Sequence, residues 1–439
     1  MAAAELPRKL GLVDAASIVV GTVIGSAIFL VPSSVARSLP SAGSILLVWI
    51  GTGLLSFFGA LAYAELGAMM PATGGQYVYL REAYGPMCAF LCGWSYFLVT
   101  QAGGVATLAV GFSIYLNYFF ALSPWLAKLV AMVLIGFVTI VNYRGVRLGA
   151  GVQNLFTSLK LAGIAILVLS AFFTRGHSGP APAAASEFTW SQFGVAMIAC
   201  LWAYEGWNCI SFVAGEVKRP QRNLPLALGL GMAALIAVYL TANVAYLKIL
   251  SIPEIAATDR VAATVAQRTM GSAGAALVSL TILLSIAGSI NGSIMTSSRI
   301  YFAQARDGLF FAAVGRIHPR FETPYISVAA YGAWCAILAV SGSYDRLFSY
   351  VVFMAAIWYA MSVMAVLILR RKFPDMPRPY KMWGYPVTPL LFTAVSIWFV
   401  ANTIIERPQP SLIGCLLVAT GIPVYYLWRR AASKIEVHA

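Results

Sequence analysis

Charged residues are scarce in this sequence. Only 10% of its 439 residues are Asp, Glu, Lys or Arg, and 60% are hydrophobic, whereas a soluble domain carries about 25% charged residues. The chain therefore has too little charge to cover a water-exposed surface. This composition excludes a disordered protein, a secreted disulfide scaffold and an ordinary soluble enzyme, and it predicts a polytopic membrane protein.

Residues for metal, redox or nucleophilic chemistry are also few. The three histidines, His177, His318 and His438, lie in predicted loops or at the tail, which argues against a histidine proton relay. The six cysteines lie in apolar segments without a CxxC pair, a pattern typical of buried, inert thiols. No soluble catalytic domain or nucleotide motif interrupts the chain, whose longest outer connections are predicted at residues 174–191 and 251–271. We therefore expect no enzyme activity, no cofactor and no metal site.

Long apolar runs are what the sequence has instead. Twelve runs reach the roughly 20 residues that a helix needs to cross a bilayer, and none alternates with the period of a barrel strand. The runs begin near Leu12, Ser44, Met87, Trp125, Val152, Gln192, Leu224, Ser272, Pro324, Leu347, Val387 and Ser411. The first run lacks a small-residue cleavage site, so we interpret it as a retained span. These features predict an all-α integral membrane protein with twelve transmembrane helices in a single domain, residues 1–439.

The formal charge of +14 is distributed unevenly along the chain. If both termini are cytoplasmic, 20 of the 29 Lys and Arg residues lie in inner segments, 8 lie in outer segments, and Lys160 alone lies within a span. The positive-inside rule accounts for this excess. The basic charge therefore predicts the orientation in the lipid bilayer and gives no reason to expect a nucleic-acid partner.

Two glycine-containing interruptions occur at matching depths in the two halves of the chain. Residues 21–27 (GTVIGSA) lie midway along the first span, and residues 203–208 (AYEGWN) lie at a similar depth in the sixth. Five spans separate them, so the second half enters the membrane in the opposite sense. Matched breaks of this kind indicate an inverted-repeat transporter with its site at the midplane. We predict a five-plus-five repeat, with spans 1–5 in residues 11–174, spans 6–10 in residues 192–369, and spans 11–12 in residues 387–429.

A helix broken inside the membrane exposes backbone groups that lipid cannot satisfy. Amides around Gly25, Ser26 and Ala27, at the positive end of the outer half-helix, would face an anion. Carbonyl groups near Val23, Trp202 and Glu205 would face a cation. Donors and acceptors that meet at one point suit a zwitterion, and an α-amino acid fits that description.

The alternative is that Gly21 and Gly25 only permit close packing between helices, as small residues often do in membranes. The matching break in the sixth span favours a binding site instead. The predicted substrate-binding residues are Val23, Ile24, Gly25, Ser26, Ala27, Trp202, Ala203, Tyr204, Glu205 and Asn208.

Two ionisable residues lie at membrane depth, where function is the default interpretation because burying a charge is costly. Glu205 could attract a substrate ammonium group, carry a proton or select a basic side chain. Alternatively, it caps freed N–H groups or pairs with Lys160. Lys160 lies eight residues after Val152, about 12 Å along a helix, so its head cannot easily snorkel to the interface. Its ammonium group could replace a bound metal cation near the site.

Further polar and aromatic residues have both a structural and a functional interpretation. One stripe of the eighth span carries serines at intervals of four, for which hydrogen bonds between packed helices are favoured over a polar wall of the site: Ser285, Ser289, Ser293 and Ser297. Glu65 is predicted to be structural, paired near the cytoplasmic end. Four aromatic residues are candidate gates or packed core: Trp202, Tyr204, Trp207 and Trp358.

Four motifs in this order resemble the L-type amino acid transporter family of the amino acid–polyamine–organocation superfamily. They are GTVIGSAIF in the first span, AYAELGAMMPATGGQYVYLREAYG in the second span and the loop after it, WAYEGWN with EVKRPQRNLP at the sixth span, and NGSIMTSSR with IHPRFETP at the eighth. The resemblance covers nearly the whole chain. It implies the broken-helix fold of the sodium-coupled leucine transporters, working by alternating access.

The resemblance also implies roles for individual residues. The N–H groups of Ser26 and Ala27 would hold the substrate carboxylate. The carbonyl groups of Val23, Trp202 and Glu205 would hold its amino group, and Trp202 would be the gate over the substrate. Backbone groups would then bind both the carboxylate and the amino group of the substrate, without a charged side chain.

Other positions either extend the resemblance or depart from it. Asn208 would help to join the two breaks, and Lys160 matches a fifth-span lysine that occupies the sodium region of coupled relatives, which implies sodium-independent exchange. Ala27 stands where the family usually has glycine, which favours small substrates. Glu205 stands where animal members have glycine, which leaves charge selectivity open. Residues Asn117–Trp125 lack the cysteine through which animal members bond to a glycoprotein, so no disulfide-linked heavy-chain partner is expected.

Two functions follow as expectations. The first is a sodium-independent exchanger of small neutral L-amino acids. The alternative, based on Glu205, is a proton-linked or exchanging transporter of basic amino acids or polyamines. The family and the lack of a sorting signal point to a prokaryotic member in the inner (plasma) membrane of the cell.

Overall fold

Helices form nearly all of the regular structure. The computed structural model describes residues 5–117, 119–176, 189–341, 344–406 and 408–437. Over these ranges no β-strand occurs beyond one isolated bridge between Leu10 and Val217. Nine helices of the described chain are long and apolar enough to cross a membrane, or ten if one bent pair counts as a span. The chain is a multi-pass membrane protein.

Eighteen α-helices follow one another along the described chain. They are α1 (Leu12–Val23), α2 (Ala27–Ser38), α3 (Ala42–Met69), α4 (Gln76–Tyr84), α5 (Pro86–Ser95), α6 (Gln101–Leu116), α7 (Pro124–Tyr143), α8 (Val146–Phe173), α9 (Trp190–Ala203), α10 (Cys209–Phe212), α11 (Pro220–Ile249), α12 (Ile252–Ala257), α13 (Val261–Arg306), α14 (Tyr325–Ser341), α15 (Tyr344–Lys372), α16 (Val387–Glu406), α17 (Pro408–Ala419) and α18 (Gly421–Val437). A π-helical turn, Tyr96–Thr100, joins α5 to α6, and α13 is kinked at Gly271.

Each predicted apolar run begins in, or next to, one of these helices. Two segments that the sequence suggested were connections are more ordered than expected. The segment after α3 contains α4, and the predicted outer linker 251–271 contains α12 and the start of α13. Helix α12 begins there because Ser251 and Glu254 form a capping box, in which the Ser251 N–H donates to the Glu254 carboxylate at 2.8 Å. Most of the predicted loop 174–191, with His177, and the tail residue His438 lie outside the described residues.

The first span is broken where the sequence predicted it. Helices α1 and α2 are bent by 42° at residues 24–26. A second interruption separates α9 from α10 at residues 204–208. Gly206 lies there at a φ of +109°, a conformation that side chains other than glycine rarely adopt. Both predicted breaks are therefore present.

The core forms around α1, which packs against α8, α11 and α13, while α3 packs along α11. Outer helices expose large apolar side chains, among them Val133, Phe137 and Ile140 on α7, each more than half exposed. In a soluble protein, a surface helix turns such an apolar stripe toward the core. Exposed apolar side chains on long helices suit contact with lipid.

Two buried carboxylates are held by arginines. Glu65, predicted to be structural, accepts hydrogen bonds from Arg370 at 2.8 and 2.7 Å. The second pair was not predicted: Glu216 and Arg299 are both fully buried and make a bidentate contact at 2.7 and 3.1 Å. The Glu216 carbonyl oxygen also accepts the N–H groups of Lys9 and Leu10. Glu216 therefore connects the N-terminal residues Lys9 and Leu10 to Arg299 on α13.

The Glu216–Arg299 pair gives a stability prediction. Arg299→Met leaves an uncompensated buried carboxylate and should lower the free energy of unfolding by about 3–5 kcal/mol. The double variant Glu216→Leu/Arg299→Met should recover much of this loss because it removes both charges. Thermal unfolding in detergent measures both effects.

A matched control uses an exposed ion pair. Arg37 bonds Asp259 at 2.6 Å, but the two side chains are 51% and 83% exposed. Arg37→Met should barely change the unfolding midpoint because exposed pairs are screened by solvent. Equal midpoints for Arg299→Met and Arg37→Met would contradict the stabilising role of the buried pair.

Candidate substrate-binding site

A polar cavity lies between the two broken helices. It is lined by residues of α1, α2, α6, α9, α10, α13, the π-helical turn and the two breaks: Thr22, Val23, Gly25, Ser26, Ala27, Thr100, Gln101, Gly104, Val105, Leu108, Trp202, Glu205, Gly206, Cys209 and Ser293. Six of the ten predicted binding residues are among them, namely Val23, Gly25, Ser26, Ala27, Trp202 and Glu205. The cavity thus brings both predicted breaks to one place.

The start of α2 supplies hydrogen-bond donors to this cavity. Ser26 is the N-cap residue and Ala27 the first residue of α2. The first N–H groups of a helix have no partner within the helix. They lie at the positive end of its dipole, which favours an anion. The amides of Ser26 and Ala27 can therefore receive a carboxylate.

The two breaks are joined by hydroxyl groups. Thr22 Oγ1 donates to the carbonyl oxygen of Gly206 at 3.0 Å. The Tyr239 hydroxyl lies 2.8 Å from the carbonyl oxygen of Ala203 and 3.3 Å from that of Val23. The resemblance assigned this joining role to Asn208, but the Asn208 side chain bonds elsewhere. Thr22 and Tyr239 make the connection instead.

Four predicted residues do not line the cavity. Ile24 is fully buried, and its carbonyl oxygen accepts hydrogen bonds from Lys160. Ala203 and Tyr204 are buried in the core. Asn208 donates to Gln76 Oε1 at 3.0 Å. The side chains of these four residues are buried among other helices and do not line this cavity.

Lys160 is the main polar contact of the first break. Its side chain is fully buried, which excludes the snorkelling interpretation. The Lys160 Nζ donates to the carbonyl oxygens of Gly21 at 2.8 Å, Ile24 at 2.6 Å and Ser285 at 2.9 Å. A lysine ammonium group has three donors, so these carbonyls use all of them. The suggested pairing of Lys160 with Glu205 is therefore wrong.

The serine stripe of α13 surrounds the same break. Ser285 Oγ contacts the carbonyl oxygens of Ile24 and Gly25 at 2.8 and 3.0 Å, and Ser289 Oγ contacts that of Ile24 at 3.0 Å. Ser293 lines the cavity. Ser285 and Ser289 thus make the hydrogen bonds between packed helices that the sequence favoured, whereas Ser293 lies on the cavity.

Gly21 fits the packing interpretation of the glycines. A Cβ atom at Gly21 would lie 2.2 Å from side-chain atoms of Gln153 and of Thr157 on α8. Only glycine allows α1 to approach α8 this closely. Gly25, by contrast, lines the cavity, where a Cβ atom would meet Leu108 at 3.3 Å.

Glu205 lies between two cavities. It lines the polar cavity and also a second, more apolar one between α3, α9, α15 and α16, whose lining includes Tyr204, Trp207, Tyr359 and Phe392. The Glu205 carboxyl group shares a hydrogen bond with the Tyr359 hydroxyl. No ion pair of Glu205 with a cationic side chain occurs among the described residues. The described residues therefore give Glu205 a hydroxyl partner but no counter-ion.

The aromatic candidates divide into core and cavity residues. Trp207 stacks on Tyr359 at a ring distance of 5.1 Å and meets Tyr63 edge-on at 4.9 Å. Trp358 is likewise buried, so both indoles are packed core. Trp202 is half-buried and lines the polar cavity, the position that a gate would need.

Sequence reasoning missed several lining residues. Thr100, Gln101 and Val105 come from the third apolar run, where the sequence predicted no break. The polar Gln101 was a usable signal, since an amide at membrane depth needs a partner. Its Oε1 accepts a hydrogen bond from Ser297 at 3.3 Å.

The fold and this cavity define a membrane transporter, and comparison with known proteins identifies its class. The family model for amino acid permeases matches residues 10–427. The chain is similar to the human b(0,+)-type amino acid transporter 1, with 33% identity over 99% of this chain and 92% of the relative. The Bacillus subtilis serine/threonine exchanger SteT is 33% identical over 98% of both chains. The human cystine/glutamate transporter is 32% identical over 97% of this chain and 86% of the relative.

The chain therefore belongs to the amino acid permease family and is a transporter rather than an enzyme. The predicted membership of the L-type amino acid transporter family is confirmed by these relatives.

The start of α2 gives a prediction about binding. Ser26→Leu would place a branched side chain beside the free amides, where we expect the substrate carboxylate. Amino acid uptake into proteoliposomes should fall about tenfold or more, equivalent to roughly 1.4 kcal/mol of lost binding free energy. Ser34→Leu is a matched control, because Ser34 lies on the same half-helix but is exposed. Full uptake by Ser26→Leu would contradict this location of the site.

Proposed function

We propose that this transporter is a sodium-independent exchanger of small neutral L-amino acids that works by alternating access. The observation that carries the proposal is the first break. There the amides at the start of α2 face a cavity, while Lys160 donates hydrogen bonds to the carbonyl oxygens of Gly21 and Ile24. Exchange would occur across twelve spans, with both termini in the cytoplasm.

An inverted repeat supports alternating access. The breaks at residues 24–26 and 204–208 would be equivalent positions of repeats 11–174 and 192–369, with spans 11–12 in residues 387–429 outside them. Their contact through Thr22 and Gly206 is of the kind expected where two repeats meet at a midplane site. Relative movement of the repeats would open this site to each side in turn.

Both charges of the substrate have backbone partners in this proposal. The amides of Ser26 and Ala27 would bind the carboxylate. Carbonyl groups of Val23, Trp202 and Glu205 would bind the ammonium group. The Val23 oxygen already accepts the Gly25 N–H at 2.8 Å, and the Trp202 oxygen accepts the Glu205 N–H at 3.1 Å. A carbonyl oxygen has two lone pairs, so each can accept a further hydrogen bond. At Val23 this requires the single hydroxyl hydrogen of Tyr239 to be donated to Ala203, its nearer partner at 2.8 Å.

The cavity walls favour a small side chain. The methyl group of Ala27 and the side chains of Val105, Leu108 and Trp202 line the cavity. They narrow the space beside the proposed carboxylate site. Alanine, serine or threonine would fit this space better than a large aromatic substrate.

Lys160 supports independence from sodium. Sodium sites of related folds use carbonyl groups of unwound helices. Here the carbonyls of Gly21 and Ile24 are occupied by the Lys160 ammonium group at 2.8 and 2.6 Å. A fixed positive charge at this place removes the need for a bound cation. We also propose that the protein acts without a disulfide-linked heavy chain.

Uptake of labelled alanine into proteoliposomes tests the exchanger. Vesicles preloaded with unlabelled alanine should take up label, and empty vesicles should not, because an exchanger returns to the outside only when loaded. Replacing external sodium with choline should leave the rate unchanged. Uptake that needs sodium, or that is equal in empty vesicles, would contradict the proposal.

Glu205 favours a second candidate, a transporter of basic amino acids or polyamines that is proton-linked or exchanges. Its carboxyl group faces the cavity without a cationic partner among the described residues. A basic side chain would supply that partner. If this candidate is correct, only arginine, lysine or polyamines would exchange in the same vesicles.

Glu205→Gly tests this second candidate. Uptake of labelled arginine and putrescine should fall to background, because the variant removes the one carboxylate that the described residues place along the cavity. Glu5→Gly is the matched control, since Glu5 is exposed on the N-terminal segment. Unchanged arginine uptake in Glu205→Gly would reject a selective role for this carboxylate.

A further inference from the structure

A chain of buried hydrogen bonds runs from Glu205 to the main chain of α15. The Tyr359 hydroxyl contacts the Glu205 carboxyl group and lies 2.9 Å from Asn208 Oδ1. Asn208 Nδ2 lies 3.0 Å from Gln76 Oε1. Gln76 Nε2 lies 3.1 Å from the carbonyl oxygen of Trp358. Every member except Glu205 is buried.

The far end of this chain fixes the direction of each hydrogen bond. The Trp358 carbonyl oxygen can only accept, so the Gln76 atom next to it must be the amide nitrogen. The other end of that amide is then an oxygen. It accepts hydrogen bonds from the Tyr96 hydroxyl at 2.9 Å and from Asn208. Amide orientations are assigned by such networks.

The same reasoning sets the orientation of Asn208. Its nitrogen must face the Gln76 oxygen, because two oxygens in that contact would have no hydrogen between them. Its oxygen therefore faces the Tyr359 hydroxyl. Turning either amide over would place two acceptors against each other, which is costly for buried groups.

The Tyr359 hydroxyl has one hydrogen, and Asn208 requires it. The Glu205 oxygen in contact with Tyr359 must then supply its own hydrogen. An ionised Glu205 would leave two acceptors competing for a single hydrogen atom. A protonated Glu205 resolves this competition, because its O–H group can donate to the Tyr359 hydroxyl while Tyr359 donates to Asn208.

Among the described residues, no neighbouring cation would stabilise the ionised form of Glu205. The titratable groups facing Glu205 are Tyr63 from α3, Tyr96 from the π-helical turn, Cys209 from α10 and Tyr359 from α15. The described lining residues of α1, α2, α6, α13 and α16 around the two cavities include no charged side chain. A positive charge beside Glu205 must come from a bound molecule.

We propose that Glu205 is a proton-binding site whose occupancy follows the charge of the substrate side chain. With a neutral amino acid, the carboxyl group keeps its proton. With a cationic amino acid, the O–H bond breaks, the proton leaves to water on the side from which the substrate entered, and the carboxylate pairs with the cationic side chain. On the other side, the cation leaves and a proton returns to Glu205.

This inference rests on the proposed exchange function and predicts its charge balance. Inward movement of arginine in exchange for outward movement of alanine would carry one proton outward. The net charge moved is then zero. Exchange of alanine for alanine would move no proton at all.

The first experiment measures lumen pH with trapped pyranine in proteoliposomes preloaded with alanine. External arginine should raise the lumen pH, with one proton leaving for each labelled arginine that enters, and membrane potential should not change the rate. External alanine should exchange without a pH change. Arginine entry that is driven by potential and moves no proton would overturn the proposal, as would alanine exchange with no arginine entry. If neither amino acid exchanges, the proposed function fails instead.

The second experiment needs no transport. Infrared difference spectra of the purified full-length protein should show that arginine removes the C=O band of a protonated carboxylic acid and that alanine does not. Glu205→Gln should lack this change, while the exposed control Glu5→Gln should keep it. A spectrum without the band change in the unmodified protein, or the same change in Glu205→Gln, would overturn the assignment of the proton to Glu205.

Discussion

The contact between Lys160 and the first broken helix is the constraint on which the rest of the site depends. A helix that stops inside a membrane leaves carbonyl groups that lipid cannot satisfy. Three donors of one buried ammonium group satisfy the carbonyls of Gly21, Ile24 and Ser285. With the carbonyl side held in this way, the amides at the start of α2 are left for a ligand.

Close packing is what brings Lys160 to these carbonyls. Helix α8, which carries Lys160, lies against α1 at Gly21, where any side chain would collide with Gln153 and Thr157. The same glycine carbonyl then accepts the Lys160 hydrogen bond. Packing and polar recognition are therefore two effects of one close approach, and a larger residue at position 21 would disturb both.

The sequence allowed both breaks and the importance of Lys160 to be predicted, because glycines and lone charges in apolar runs are visible without a structure. Long-range partners were not visible. Nothing near Glu216 in the chain indicates a bidentate contact with Arg299, and nothing near Glu205 indicates Tyr359 on α15. The role given to Asn208 failed for the same reason, since its partner Gln76 belongs to α4, a helix that was treated as a loop.

The sequence predicted backbone features better than it predicted side-chain orientations. Backbone features such as the break at Ser26 and Ala27 depend on local sequence and were located correctly. Whether Ile24 or Tyr204 lines the cavity depends on how each half-helix is rotated, which tertiary packing decides. The number of spans that cross the membrane and the five-plus-five repeat remain predictions.

The two ionisable residues of the site differ in a way that bears on its selectivity. The three N–H donors of Lys160 are all bonded to main-chain carbonyl groups. Its charge is therefore the same in every conformation that keeps these contacts. Glu205 has one hydroxyl partner and an open cavity on either side, so its contacts can change with the ligand. A site with one fixed charge and one variable charge can accept a neutral side chain beside a neutral carboxyl group and a basic side chain beside a carboxylate. In our proposal, the neutral and basic candidate substrates use one binding site and differ by a single proton at Glu205.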